Sequence, residues 1–483
     1  MKRTQNSRPL CVDLDGTLIK TDTLLEAIWI YLRKHPFAIF AIITWLFKGR
    51  LFFKNQIFSK VNIDVRYLPY REDLLEYLRQ QKNQGRRLVL VTASPLKVAK
   101  SIASHLNIFD EVYGTDFQSN LKGQAKADLL REKFGKKKFD YIGDSTVDLT
   151  VWEQTEDAYV VTDNQNLLRR VKEKATIQKV FVARERSLFK AIAKQIRVHQ
   201  WAKNILIFLP MILSHRYNEL SIWLWSVQAF WAFSFASSAV YVINDMLDIE
   251  SDRQHLHNRH RPLAAGDLPL TATLLFVPIL IFASASLALT LSWQFSLILL
   301  AYLIITTLYS VVLKQVVLAD IIVLALLYSW RVLAASIATG IQMSEWFLIF
   351  AIFFFCSLAL LKRCSELILV KSREEQENPR RGYLVGDLPL LVSFGVGAGY
   401  LSVLVLALYL ADPAVVSQKQ YPVVLWFMCP LLLYWISRMW LKAYRGQMPT
   451  DPLVFALRDN VSYSLMIVIS FLWLLSRGSI FAF

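Results

Sequence analysis

Pro9-Leu10-Cys11-Val12-Asp13-Leu14-Asp15-Gly16-Thr17 decides how the first third of the chain folds. An apolar run ends abruptly in two carboxylates one residue apart, and a glycine follows them, the residue that lets a chain turn sharply. A buried strand that delivers acids at its C-terminal end belongs in an open parallel sheet, where sites lie at the strand C-termini. Two carboxylates so placed can divide a phosphoryl transfer between them. Asp13 can attack phosphorus; Asp15 can protonate the leaving oxygen and later activate water.

Further strand-like runs follow at Arg87 to Val91, Phe139 to Ile142 and Ala158 to Val161, with amphipathic helical stretches between them. That alternation predicts an α/β, Rossmann-like domain. The second run ends in the Thr92 hydroxyl, suited to a phosphoryl oxygen, and Gly123-Gln-Ala-Lys126 brings a cation to the start of a helix. Gly143-Asp144-Ser-Thr-Val-Asp148 adds two carboxylates that, with Asp13, suit Mg2+, a cation that prefers oxygen ligands. Ser94 and Lys122 read as turn or surface polarity. These four motifs, in this order, resemble the haloacid dehalogenase (HAD) superfamily over roughly residues 8–175. The resemblance implies a phosphatase with Asp13 as nucleophile, Asp15 as acid and base, Thr92 and Lys126 binding phosphate, and Asp13, Asp144 and Asp148 holding the metal. It also implies a helical cap at about residues 24–80. Within that cap Pro36 to Phe47 is almost wholly apolar yet too short to span a bilayer, and Lys48, Arg50 and Lys54 follow. It is either a buried cap helix or one that lies in a membrane interface.

The whole chain, 483 residues, is 55% hydrophobic with mean hydropathy +0.36, yet its net charge is +16. Apolar spans with basic loops combine these properties; a soluble protein rarely does. The basic residues flank the spans, which favours lipid headgroups and phosphorylated substrates over nucleic acid. Cys11, Cys356, Cys364 and Cys429 form no CxxC pair and read as reduced, buried thiols. The domain expected at residues 1–183 starts without a signal-like apolar core and is expected in the cytoplasm. Arg184, Arg186, Lys190, Lys194 and Arg197 make a basic juxtamembrane linker at 184–198.

Residues 199–483 read as an all-α membrane domain of nine transmembrane helices, approximately 201–215, 221–243, 271–291, 293–313, 318–340, 345–367, 388–410, 421–441 and 460–476. Loops after the even-numbered spans carry the basic residues, among them Arg253, Arg259, Arg261, Lys314, Lys371, Arg373, Arg380, Arg381, Lys442, Arg445 and Arg458. The positive-inside rule puts those loops in the cytoplasm and Phe483 on the far side of the cytoplasmic membrane.

At the inner end of the second span stands Asn244-Asp245-Met-Leu-Asp248-Ile-Glu-Ser-Asp252-Arg253. Asn244, Asp248 and Asp252 recur every four residues, so one helix face stacks them. Acids so close to a bilayer imply a bound cation or a wet cavity. The pattern resembles the first aspartate-rich motif of the UbiA prenyltransferase superfamily, and Tyr309 to Lys314 resembles a later phosphate-binding motif of that family. The family's second aspartate-rich motif is replaced here by Lys362-Arg363-Cys-Ser-Glu366 and a heavily basic loop. Arg197 to Asn204, Asp252 to His255, Arg261 to Gly266, Lys362-Arg363 with Glu366, Asp451-Pro452 and Arg458-Asp459 are similar to the decaprenyl-phosphate phosphoribosyltransferase branch. That likeness implies attack of a polyprenyl phosphate on C1 of 5-phosphoribosyl diphosphate (PRPP), with Mg2+ on Asn244, Asp245, Asp248 and Asp252. It implies a phosphate clamp of Lys203, Arg261, Lys314, Lys362 and Arg363. The role of His255-Leu256-His257-Asn258-Arg259 stays open, as does the oligomeric state. Two rival readings are a prenyl transfer from polyprenyl diphosphate to an aromatic or lipid acceptor, and a non-catalytic lipid carrier with a phosphate-sensing domain.

Overall fold

The computed structural model describes residues 8–35, 38–116, 120–183, 187–255, 258–371, 382–417, 419–448, 451–456 and 458–476. Arg184, Arg186, Leu256, His257, Arg373, Arg380, Arg381 and Phe483 lie outside them. The chain divides into two compact units, Met1–Arg197 with Tyr241–Val277, and Val198–Val240 with Pro278–Phe483. The loop after the second expected span therefore folds with the N-terminal unit, a division the linear boundary at 183–199 did not anticipate.

In the first unit six parallel strands stand in the order β3-β2-β1-β4-β5-β6. They are β1 (Leu10–Val12), β2 (Leu88–Pro95), β3 (Glu111–Thr115), β4 (Asp140–Gly143), β5 (Asp157–Val161) and β6 (Thr176–Phe181). β1 is central, pairing Leu10 with Leu88 on one side and with Asp140 on the other. The buried strands β1, β4 and β5 are apolar-rich because helices cover both faces of a parallel sheet. The strand order reverses between β1 and β4, where the connections diverge and open a crevice at the strand C-termini.

The cap leaves the sheet after β1. Helix α1 (Thr23–Lys34) starts under a side-chain cap from Asp22, and α2 (Ile39–Phe47) and α3 (Arg50–Lys60) follow. After α4 (Glu72–Asn83) the chain enters β2. Ala27, Ile30, Ile42, Phe53 and Ile57 form the apolar interior of the cap. Helix α2 is two-faced: Ile42 is packed inside, whereas Phe40 and Phe47 are 70% and 88% exposed. Its apolar content is thus only half accounted for by the cap.

Helix α1 also grips the segment that completes the unit. Trp29 Nε1 donates to Met246 O at 2.6 Å, Arg33 Nη1 donates to Leu247 O at 3.2 Å, and Arg33 pairs with Glu250. Arg253 meets Glu26 through two bonds, at 2.6 and 3.1 Å, with both side chains almost fully buried. At the end of the basic linker Gln195 and Arg197 both bond Asp245, whereas Lys190 and Lys194 are exposed.

The second unit is helical. Among the described residues seven helices are long and apolar enough to cross a membrane: Leu220–Leu247, Leu270–Leu291, Trp293–Val311, Ala319–Thr339, Glu345–Lys371, Val385–Ala411 and Pro422–Tyr444. The chain is an integral membrane protein. The other two expected spans differ. Residues 201–215 form a 3-10 helix, Val198–Phe208, followed by the short helix Leu209–Leu213, and the final helix, Asn460–Leu475, has 16 residues. Close packing is built with small residues, as membrane helices require. At Gly395 a Cβ would lie 2.1 Å from the Trp440 ring, and the Gly395 carbonyl accepts from Ser357 Oγ at 2.7 Å.

Candidate active sites

The first site lies at the C-terminal edge of the sheet. Asp13 follows β1 directly; its amide donates to Ile142 O at 3.0 Å, and its Oδ1 accepts from Leu14 N at 2.8 Å. Asp13, Asp144 and Asp148 each offer an oxygen, all within 4.8 Å of one another. Gly16 makes this possible. Its φ is +75°, which disfavours other residues, and a Cβ there would lie 2.3 Å from Asp144 Oδ2. Arg71 donates to Gly16 O at 3.1 Å and to Ala183 O at 2.7 Å, fastening this turn to the end of β6.

Lys126, at the start of α5 (Gln124–Phe134), places Nζ 2.8 Å from Asp13 and 3.8 Å from Asp148. Burial opposes the ammonium charge, but Asp13 and Asp148 hold its pKa above the usual value. Tyr141 completes this group by accepting from Lys126 at 2.9 Å and donating to Asp148 at 2.8 Å. Asp148 also accepts from Ser145 Oγ at 2.9 Å. Asp144 accepts from Thr17 Oγ1 at 3.2 Å; burial, then Asp13 and Asp148, push it up to about 7. Three crowded carboxylates with one lysine leave an excess of negative charge among oxygen donors. That donor set fits Mg2+.

Asp15 is set apart from the metal-sized group. Its Oδ1 accepts from Thr23 N at 2.8 Å and its Oδ2 from Ser94 Oγ at 2.5 Å. Burial, followed by the charge of Asp22, pushes Asp15 up to about 7, a value suited to giving and taking a proton near neutrality. Thr92 is fully buried and its Oγ1 accepts from Ser94 N at 3.0 Å. Ser94, read above as turn polarity, is 4% exposed and touches Asp15. Its signal was its place two residues beyond Thr92 at the end of the same strand. Lys122 is exposed, as read.

The aspartate-rich motif, also in the first unit, looks different. Asp248 interrupts the helix, but Asp248 N still bonds Asn244 O at 2.9 Å and Asp252 N bonds Asp248 O at 2.8 Å, so the expected stacking survives. Asn244 and Asp248 are half-buried. Asp245 and Asp252, two turns apart, are buried and share Arg261: Nη1 lies 3.1 Å from Asp245 and 2.5 Å from Asp252. Arg197 and Gln195 reach Asp245 at 2.5 and 2.9 Å, and Asn258 Nδ2 donates to Asp252 at 3.0 Å. Among the described residues the Asp13 group alone has three acids gathered closely enough for an ion. Asn244, Asp245, Asp248 and Asp252 are not assembled that way. Arg261, expected on a phosphate, is here the counter-ion of the motif.

In the second unit Lys203 Nζ lies 3.2 Å from Asp451. Burial opposes ionisation of Asp451, yet Lys203 and Lys362 hold its carboxyl below the usual range. Arg363 points elsewhere. It is 1% exposed and binds Asp320 at 2.7 Å and also Glu366, while Tyr383 donates to Asp320 at 2.5 Å. Its bonds go to these acids, and its buried Nη2 has no hydrogen-bond partner among the described residues. Lys314 is half-buried in the 3-10 turn Leu313–Gln315. One buried charge went unread. Arg331, inside helix Ala319–Thr339, donates to Asn204 Oδ1 at 2.8 Å and Tyr302 OH at 2.9 Å. An arginine within an apolar span was signal enough, since such a charge must find partners.

The chain belongs to the UbiA prenyltransferase family, whose profile matches residues 205–476. The haloacid dehalogenase-like hydrolase profile matches residues 10–153, so the two kinds of domain are fused. Protein y4nM of Sinorhizobium fredii is 35% identical over 457 residues, covering 94% of this chain and 88% of that protein. Nodulation protein NoeC of Azorhizobium caulinodans is 31% identical over 277 residues, covering 57% of this chain and 89% of its own length. Decaprenyl-phosphate phosphoribosyltransferase of Mycobacterium tuberculosis is 33% identical over 189 residues, 38% of this chain and 63% of that protein.

Proposed function

We propose that the membrane unit transfers 5-phosphoribosyl from PRPP to a polyprenyl phosphate, and that the Asp13 site removes the 5-phosphate of the product. In the first reaction a phosphate oxygen of the lipid attacks C1 of the ribose, the C1–O bond to pyrophosphate breaks, and pyrophosphate leaves. The observation that supports this reading best is the contact of Lys203 with Asp451, whose carboxyl Lys362 also helps to hold below the usual range. Two cations on one acid leave net positive charge for a polyphosphorylated substrate. The likeness to decaprenyl-phosphate phosphoribosyltransferase supports the same substrates. The rival, prenyl transfer from polyprenyl diphosphate to an aromatic or lipid acceptor, is favoured by the family at large.

In the second reaction an Asp13 oxygen attacks phosphorus and the P–O5 bond breaks. Asp15 gives its proton to the departing O5, then takes one from the water that attacks the aspartyl phosphate. Lys126 and Thr92 hold the phosphoryl oxygens. Mg2+ held by Asp13, Asp144 and Asp148 would supply charge neutralisation at the phosphoryl group. Hydrolysis would make the coupled sequence harder to reverse. The positive-inside rule supports a cytoplasmic position at the inner membrane for the unit containing Asp13.

Labelled PRPP and polyprenyl phosphate, supplied with Mg2+ to the purified chain in vesicles, test both steps. Label should enter the lipid extract, and Asp13→Asn should accumulate the 5-phosphorylated lipid. In a parallel sample given polyprenyl diphosphate and an aromatic or lipid acceptor, consumption of the diphosphate with no incorporation from PRPP in the first would establish the rival instead.

A further inference from the structure

Helix α2 carries an apolar face that the first unit does not cover. Phe40, Ile43 and Phe47 share one stripe at helical spacing, and with Leu46 they are 45–88% exposed. On the other side Ile42 is buried and Trp45 packs against Tyr31, with ring centroids 5.7 Å apart. The helix is therefore held in place by one face and bare on the other. Its surroundings have one sign of charge. From Ala27 to Ile63 the sequence has no Asp or Glu, but it has Arg33, Lys34, Lys48, Arg50, Lys54 and Lys60. Lys48, directly after the helix, is exposed. An apolar stripe bordered by basic residues is the pattern of a helix lying in an anionic bilayer interface.

A second observation says which surface is near. Helix α1, which leads into α2, bonds the carbonyls of Met246 and Leu247 through Trp29 and Arg33. Those two residues form the last turn of Leu220–Leu247, a helix long and apolar enough to cross a membrane. The cap is thus fastened where such a helix ends, and a bilayer crossed by that helix ends there too.

We propose that α2 seats the cap in the lipid surface, and that the Asp13 site accordingly acts on phosphate monoesters whose head group is anchored in that surface by a lipid tail. The substrate half rests on the phosphatase reading above; the seating half does not. Phe40, Ile43 and Phe47 enter the acyl boundary and the lysines meet anionic headgroups. A lipid-borne phosphate then reaches the cap without leaving the membrane, while a soluble monoester gains nothing from the arrangement.

The test uses the full chain in phosphatidylcholine–phosphatidylglycerol vesicles, with the native cysteines replaced. A nitroxide is placed at Phe47→Cys and, as a control on an exposed helix of the same unit, at Glu132→Cys. Collisions with oxygen should exceed those with a water-soluble nickel chelate at position 47, with the reverse at 132. Equal access of the chelate to both positions overturns the seating. So does spin–spin broadening at 47 from a second copy, or protection at 47 that persists in lipid-free detergent only through a bound protein. For the substrate half, 1-O-octadecyl ribose 5-phosphate in the vesicles is compared with free ribose 5-phosphate. The wild type should prefer the tailed form, and Phe40→Ser/Phe47→Ser should lose that preference by about tenfold or more while hydrolysing free ribose 5-phosphate at the wild-type rate. An unchanged preference in the double variant overturns the substrate class. Hydrolysis of neither form overturns the phosphatase reading beneath it, and the label depth then still decides the seating.

Discussion

Asp13, Asp144 and Asp148 crowd three carboxylates into one small volume with Lys126 beside them, whereas Asp245 and Asp252 share Arg261 and have Arg197, Gln195 and Asn258 at hand. Both groups put acids where water is scarce. In the first, the protein leaves negative charge uncompensated, and burial raises Asp13 and pushes Asp144 up to about 7. In the second, guanidinium groups supply the compensation. A buried acid left short of partners is held ready for a cation that comes from outside. A buried acid already paired is primarily structural until something displaces its arginine.

The largest effect that could break this comparison is catalytic. Asp13→Asn should lower phosphomonoester hydrolysis by at least about a thousandfold, because it removes the proposed nucleophile while keeping the shape. Release of inorganic phosphate from ribose 5-phosphate measures it. Hydrolysis at more than a tenth of the wild-type rate would place the chemistry elsewhere. Next comes stability. Arg261→Ala takes one partner from both Asp252 and Asp245, and should cost about 3 kcal/mol, read as a lower urea midpoint. Asp144→Asn removes one of three like charges and should leave the metal-free midpoint unchanged or higher. If both substitutions destabilise alike, the contrast between the clusters is false.

Metal addition sharpens the same contrast with a smaller effect. Mg2+ at about a hundred times its dissociation constant should stabilise the chain by about 2.7 kcal/mol, seen as a rise in melting temperature. The rise should largely vanish in Asp144→Asn. A full rise in that variant, lost instead in Asp248→Asn, would transfer the ion to the aspartate-rich motif.

What was legible in the sequence follows from how local each feature is. β1, β2, β4 and β5 were readable because burial on both faces makes them continuous apolar runs. β3 (Glu-Val-Tyr-Gly-Thr) and β6 (Thr-Ile-Gln-Lys-Val-Phe) were not, because they are the edge strands, partly exposed and mixed in composition. The HAD motifs were readable because each sits at the end of its own strand or the start of its own helix, and the topology gathers those ends. Ser94 and Tyr141 act on Asp15, Lys126 and Asp148, residues brought to them by folding, so local pattern gave little sign of them. Lys362 and Arg363 were read as one clamp, yet consecutive helical residues point about 100° apart. One is drawn towards Asp451, and the other meets Asp320. The partnering of Asp245 and Asp252 by Arg261 was likewise invisible, since it depends on how the chain returns after residue 255.

The smallest expected effect tests whether Ser94 belongs to the first cluster's chemistry or only to its packing. Burial raises Asp15, the charge of Asp22 raises it further, and the Ser94 hydroxyl bond opposes both by stabilising the carboxylate. Removing that bond in Ser94→Ala leaves only the Thr23 amide to oppose the raising influences, so the Asp15 pKa must rise from about 7. Asp15 has to be protonated to release O5, so the alkaline limb of the kcat profile should move to higher pH in the variant. A hydrogen bond to a charged group is worth about 1.5–3 kcal/mol, which bounds the shift at about one to two pH units. KM for ribose 5-phosphate should hardly change, because Ser94 touches Asp15 rather than the phosphoryl group. A mere packing defect would lower kcat at every pH and leave the limb in place. An unmoved limb therefore separates Ser94 from proton transfer, even if the variant is slow.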